Sequence, residues 1–143
     1  MSQKLTRSIK EDEIHAKWLL IDATGKRIGK LSTKIVNLLT GKDKVINSDY
    51  LVNGDKVIVI NVLKMDFGQQ KLNNKTYPIH SGYPGGFKEL KLRELIGKKP
   101  DYIIRQAVWG MLAKNKISRK LLSNLYVFAD ENHNFEAQKP IKV

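Results

Sequence analysis

The chain has 143 residues, of which 41% are hydrophobic and 28% charged, so it can bury the core of one globular domain and does not read as disordered. It has no cysteine, which excludes disulfides, thiolate zinc sites and cysteine nucleophiles together. Twenty-six lysines and arginines stand against fourteen acids, a formal net charge of +12 with a pI near 9.9. Such an excess repels itself unless a polyanion neutralises it, and nucleic acid, an anionic membrane surface and an acidic protein all qualify.

Met1 to Glu13 is polar and mixed in charge, without the apolar stretch of a secretory signal. No apolar run approaches the roughly 18 residues of a membrane span. We therefore expect a cytoplasmic protein with a flexible tail over residues 1–14 and a single domain over 15–143. Trp18 to Ile21 is a continuous apolar run, which suits a strand buried on both faces. Asp22-Ala23-Thr24-Gly25 follows, with Thr24 placed to cap a helix. Ile28, Leu31, Ile35, Leu38 and Leu39 recur at helical spacing, and Gly41 falls where such a helix would end in a left-handed turn. Lys26, Lys30 and Lys34 repeat along another face of that helix, with Arg27 beside them.

Asn53-Gly54-Asp55 has the composition of a turn, and Val57 to Ile60 forms a second buried-strand run. Strand, helix and strand in that order predict a parallel βαβ unit, the start of a Rossmann-like α/β core. Residues 65–87 turn polar, basic and glycine-rich, with Ser81 to Gly86 as an irregular loop. Leu92, Leu95 and Ile96 predict a short helix closed by Gly97, and Pro100 opens another. Ile103, Ile104, Ala107, Val108, Met111 and Leu112 give that helix its stripe. Ser118 to Leu122 reads as a further helical turn and Leu125 to Phe128 as a last short strand. Asp130 to Val143 is expected to extend over the surface.

Enzyme chemistry finds little support. The stretch Gly25-Lys26-Arg27-Ile28-Gly29-Lys30-Leu31 has one residue too few between its glycines for a phosphate loop, and leucine where serine or threonine is needed. The dinucleotide fingerprint fails on spacing as well, leaving a βα turn with a helical glycine for close packing. A nucleotide-dependent enzyme on a Rossmann-like core is the alternative that this turn keeps open. His15, His80 and His133 lack ligand partners at helical spacing, so no metal or other cofactor is expected. Asp22 ends a strand, but its nearer use is to bind amides of the following turn, and no serine has a nucleophile-elbow context.

The cations, in contrast, cluster. From Lys88 to Lys120 there are ten cations and three acids, an excess of +7. Lys114, Lys116, Arg119 and Lys120 carry no acid among them and follow an apolar helix directly. The loop region mixes Lys71 and Lys75 with Tyr77, Tyr83 and Phe87. Cations neutralise phosphates and release counterions, and exposed aromatics stack on unpaired bases. No helix pairs a basic face with a wide aromatic one, so a membrane surface fits less well.

Trp18 to Lys26 with Gly29-Lys30-Leu31, then Tyr77, His80-Ser81-Gly82 and Gly85-Gly86, then Gly110-Met111-Leu112, Ser118-Arg119 and Leu125 to Phe128 follow one another in a recognisable order. Asn132-His133-Asn134 and Ala137 to Pro140 complete it. In this order and spacing, from about Trp18 to Pro140, the chain resembles the family of the thirteenth protein of the large ribosomal subunit, in its bacterial form. Trp109, Ala113 and Asp130 depart from the family's usual basic residue, proline and glycine. The resemblance implies a three-layer α/β fold with a mainly parallel sheet, and no enzymatic activity. It implies contact with large-subunit ribosomal RNA and neighbouring ribosomal proteins, and a part in early subunit assembly, as a monomer within the ribosome without a small-molecule substrate.

The residues expected to touch RNA fall into four groups. Lys114, Lys116, Arg119 and Lys120 form the densest; Lys26, Arg27, Lys30, Lys34, Lys42 and Lys44 form the second. Lys71, Lys75, His80, Tyr83 and Lys88 belong to the loop region, where Gly82, Gly85 and Gly86 let backbone lie close to RNA. Lys98, Lys99 and His133 complete the set. An RNA-binding regulator acting away from the ribosome is the remaining alternative.

Overall fold

A computed structural model of the chain describes residues 9–45 and 47–143. Most of the expected flexible tail, residues 1–8, lies outside the described residues, as does Ile46; within residues 9–14, Glu11–Glu13 form a 3-10 turn. The elements in order are β1 (Trp18–Asp22), α1 (Ile28–Thr40), β2 (Lys56–Ile60), α2 (Gln69–Asn74), β3 (Thr76–His80), β4 (Phe87–Lys91), α3 (Leu92–Lys98), α4 (Pro100–Met111), α5 (Lys116–Ser123), β5 (Leu125–Val127) and β6 (Ile141–Lys142).

β1, α1 and β2 form the expected parallel unit, with Leu19 opposite Val57 and Ile21 opposite Val59. β5 joins β2 and β6 joins β1, both parallel, so the main sheet runs β5-β2-β1-β6. Alternation along the strands divides the core. Ile21, Val57, Val59 and Leu125 point to the face covered by α1 and α4, where Leu31, Ile35, Leu39, Ile103, Ile104 and Val108 are buried. Each such aliphatic side chain contributes about 1.5–3 kcal/mol by leaving water. Leu20, Ile58 and Ile60 point the other way, beneath Trp18, Tyr126, Phe128 and Phe135. Phe135 closes that face, its ring 5.1 Å from Trp18, 4.6 Å from Tyr126 and 6.1 Å from Phe128. The architecture is α/β and mainly parallel, and the C-terminal segment supplies the layer opposite α1 and α4.

Several local expectations change. Thr24 does not cap α1; Arg27 holds that position, and the Thr24 amide and hydroxyl both donate to Asp22 Oδ1, at 3.0 and 2.7 Å. The helix runs past Gly97 to Lys98. The last residues are not merely extended: β6 pairs with the free edge of β1, and the Val143 amide reaches Leu20 O at 2.9 Å. Residues 65–87 are more regular than expected, because α2 and an antiparallel hairpin of β3 and β4 occupy most of them. Gly41, at φ 71°, ends α1 as expected: its amide bonds Leu38 O while the Lys42 amide reaches Asn37 O, satisfying two end carbonyls.

Asn53-Gly54-Asp55 is a buried approach to β2 rather than a surface turn. A Cβ on Gly54 would sit 1.5 Å from Leu39 O, so backbone passes backbone there with no room for a side chain. Asp55 accepts the Lys17 amide at 2.9 Å and pairs with the Lys44 ammonium at 2.6 Å. Lys44 also donates to Asn53 O at 2.8 Å and His15 O at 3.1 Å, closing the loop after α1 onto β2.

Two stability effects follow. Gly54→Ala should cost at least the upper end of the roughly 1–3 kcal/mol typical of overpacking, measured as a lowered urea midpoint with an unchanged slope. Lys44→Met strands the Asp55 carboxylate and should cost about 1–3 kcal/mol, whereas Lys34→Met on the solvent face of α1 should change stability by less than about 0.5 kcal/mol; the same urea titration compares the two.

Candidate nucleic-acid interface

The turn between β1 and α1 is where an α/β enzyme would bind phosphate. Its amides are already used: Thr24 N–H donates to Asp22, Gly25 N–H to Lys64 O at 2.9 Å, and Lys26 N–H to Ala23 O at 3.1 Å. Asp22 has the local role expected of it. The Thr24 hydroxyl above all, then the Thr24 amide, hold its carboxyl below the ordinary aspartate range against the opposing effect of burial, with smaller help from the Asn61 side chain and the Lys26 charge. Gly29 faces open space, so its packing role does not hold. Among the described residues, no cluster of three or more histidine, aspartate or glutamate side chains could hold a metal ion. No helix is long and apolar enough to cross a membrane.

The basic surface is built on α1, α4 and α5. Lys26, Arg27, Lys30, Lys34 and Lys42 are all exposed, and no acid lies between Asp22 and Asp43. Arg27 contacts Asp66 at 3.4 Å, but its side chain is 79% exposed, so water screens the pair and leaves the guanidinium available. The link between the Arg27 and Asp66 backbones carries α2 toward α1, and Lys71 lines one depression of about 310 Å³ with Arg27. Lys30 and Lys34 line another, of about 550 Å³.

α5 packs beside both α1 and α4. Its start is held by Asn115, whose Oδ1 accepts the Ser118 amide at 2.8 Å and the Ser118 hydroxyl at 2.9 Å. That cap lets Lys116, Arg119 and Lys120 stand on the solvent side of a helix anchored by Leu121. A groove of about 500 Å³ between α1 and the α4–α5 connection is lined by Lys42 on one side and by Asn115 and Ile117 on the other. Asp49 also lines this groove, and the two basic groups are neighbours because α5 packs beside α1. Lys114 differs from its neighbours: its ammonium bonds the Trp109 carbonyl and lies 4.7 Å over the Trp109 ring.

The expected loop residues lie on and around the β3–β4 hairpin, apart from the main sheet. Tyr77 is buried and belongs to the core, while Tyr83 and Phe87 are exposed at 76% and 58%. Lys75 lies 5.0 Å over the Tyr77 ring, and Lys88 is exposed on β4. His80 Nδ1 accepts the Gly82 amide at 2.9 Å and so shapes the tip. Gly82 and Gly85 take φ of 87° and 72°, and a Cβ on Gly86 would meet Ser81 Oγ at 2.0 Å. The turn itself therefore demands these glycines, whatever lies above it. Lys98 and Lys99 are exposed at the junction of α3 and α4.

Two expected contacts are used inside the fold. Lys44 holds Asp55, as described above. His133 is half-buried, accepts the Phe135 amide on Nδ1 at 3.2 Å and lies 6.2 Å from the Phe128 ring, so it orients the segment that carries Phe135.

One feature lies outside the residues expected from the sequence. Tyr102, Arg105, Gln106 and Trp109 form a second stripe on α4, beside the core stripe, at spacings of three and four residues. With Arg119 and Leu122 of α5 they line an open depression of about 400 Å³. The spacing was present in the sequence; aromatics among core residues concealed it.

Comparison with known proteins shows the family. The family described as "Ribosomal protein L13" matches residues 16–134. The chain is 43% identical over 137 residues to large ribosomal subunit protein uL13 of Geobacter sulfurreducens, covering 96% of each. It is 44% identical over 135 residues to the uL13 of Thermotoga maritima, covering 94% of this chain and 91% of that one. The uL13 of Alkaliphilus metalliredigens is 40% identical over 131 residues, 92% of each. On this match over most of its length, the chain belongs to the ribosomal protein L13 family.

Proposed function

We propose that this protein is a structural constituent of the large ribosomal subunit, that it binds large-subunit ribosomal RNA, and that it supports early subunit assembly. The family is one of ribosomal proteins rather than enzymes, and its relatives carry the name of a large-subunit protein. The observation that carries RNA binding is the acid-free run of exposed cations from Lys26 to Lys42, with Lys116, Arg119 and Lys120 exposed on α5, which packs beside α1. The parallel core acts as a rigid mount. Phosphates from separate RNA segments bind the two groups at once, so the protein favours the compact RNA arrangement by binding it preferentially. Lys26, Arg27, Lys30, Lys34, Lys42, Lys116, Arg119 and Lys120 are the proposed phosphate contacts. Lys71, Lys75, Lys88, Lys98 and Lys99 extend the charge, and Tyr83 offers an exposed ring at the hairpin tip.

Sedimentation of a gently lysed extract tests this directly. The chain should travel with large subunits and leave them only at high salt; a chain that stays at the top of the gradient at low salt ends the proposal. With roughly six phosphates neutralised, log affinity for a ribosomal RNA fragment should fall against log salt with a slope near −4 to −5.

Replacing Lys116 and Lys120 together by glutamine should reduce that slope by about 1–2 units and leave the urea midpoint unchanged. A slope unaffected by the double substitution would remove α5 from the phosphate-binding surface.

A further inference from the structure

The second stripe of α4 has a shape and chemistry that phosphate neutralisation does not use. Trp109 and Tyr102 are half-buried side chains on a helix whose core stripe, Ile103, Ile104 and Val108, is already complete. They are held firmly. Tyr102 meets the buried Tyr77 edge to face at 6.3 Å, and Leu122 packs against the main core. Lys114 covers Trp109 from one side and ties down its carbonyl. Arg119 forms no ion pair among the described residues, and Arg105 meets only Asp101, at 3.8 Å and half-exposed. Between Asp101 and Asp130 there is no acid at all, against Arg105, Lys114, Lys116, Arg119 and Lys120.

We infer that this depression is a stacking site for an unpaired RNA base: the base lies against Trp109 and Tyr102, Arg119 meets its flanking phosphate, and Gln106 offers an amide to its edge. The inference rests on the RNA-binding proposal above and specifies a site within it. Charge complementarity selects a polyanion. The flat rings select among polyanions, because an acidic peptide would satisfy the guanidiniums and leave the aromatic wall unused, whereas a nucleotide uses both. Openness also suits a base splayed from a folded RNA, which must enter from the side with its backbone still outside.

The chain has two tryptophans, Trp18 and Trp109. Trp18→Phe therefore leaves Trp109 as the sole indole reporter in an otherwise intact protein. A short single-stranded oligoadenylate should quench its fluorescence, and an abasic oligomer of equal length and charge should bind at least about fivefold more weakly, the low end for one stacked base. Arg119→Gln should weaken the quenching. In the native background, Trp109→Ala should lose about the same factor in oligoadenylate binding and Trp109→Phe should retain most of it. A thermal unfolding scan of each separates this from a folding defect, and should Trp109→Ala fail to fold, the quenching and Arg119→Gln results decide alone. Equal binding of the two oligomers, or no change at Trp109 while a ribosomal RNA fragment still binds, overturns the stacking site and leaves RNA binding standing. Tighter quenching by polyglutamate than by oligoadenylate overturns it in favour of an acidic protein neighbour. Failure to bind any RNA, the ribosomal fragment included, removes both proposals together.

Discussion

Parallel pairing of β1 with β2 is the constraint on which the rest of the structure depends. A parallel pair has no short connection, so α1 must cross over, and it crosses on one face of the sheet. That crossing places Ile35 and Leu39 against Val57 and Val59 and turns Lys30 and Lys34 outward. It also leaves the other face, with Leu20, Ile58 and Ile60, in need of cover. The C-terminal segment provides it through Phe135, and the segment is held by β6 at one end and by His133 and the Asp130 carbonyl near the other. Core formation and the display of cations are thus two consequences of one pairing.

The lysines divide by this geometry. Lys42 and Lys44 are two residues apart after the same helix, yet Lys42 lines an open groove and Lys44 is enclosed by Asp55, Asn53 and His15. A cation with its hydrogen bonds satisfied inside the protein has little left to offer a phosphate. Lys114 lies between these cases, fixed by Trp109 but still exposed. Net charge therefore overstates the number of cations that are free at the surface, because some are used inside the fold.

Much of the fold was legible because periodicity reports burial directly. The apolar runs at Trp18 to Ile21 and Val57 to Ile60, and the stripe from Ile28 to Leu39, each became the element they predicted. Errors arose where composition is ambiguous. Asn53-Gly54-Asp55 has turn chemistry, but Gly54 is small because Leu39 O passes beside it, a reason that pattern alone cannot distinguish from a turn. Thr24 is a good cap residue drawn instead to Asp22. Ile141 and Lys142 are too few to signal a strand, and they form one only because β1 has a free edge.

By itself the sequence determined the family, the parallel α/β unit and the excess of cations, since these depend on residue order, apolar spacing and charge, which are local or additive. Only the tertiary structure decided which cations stay free, what covers the second face of the sheet, and that Tyr102, Arg105, Gln106 and Trp109 meet Arg119 across two helices. Those outcomes depend on which distant groups arrive next to each other, and that is a property of packing.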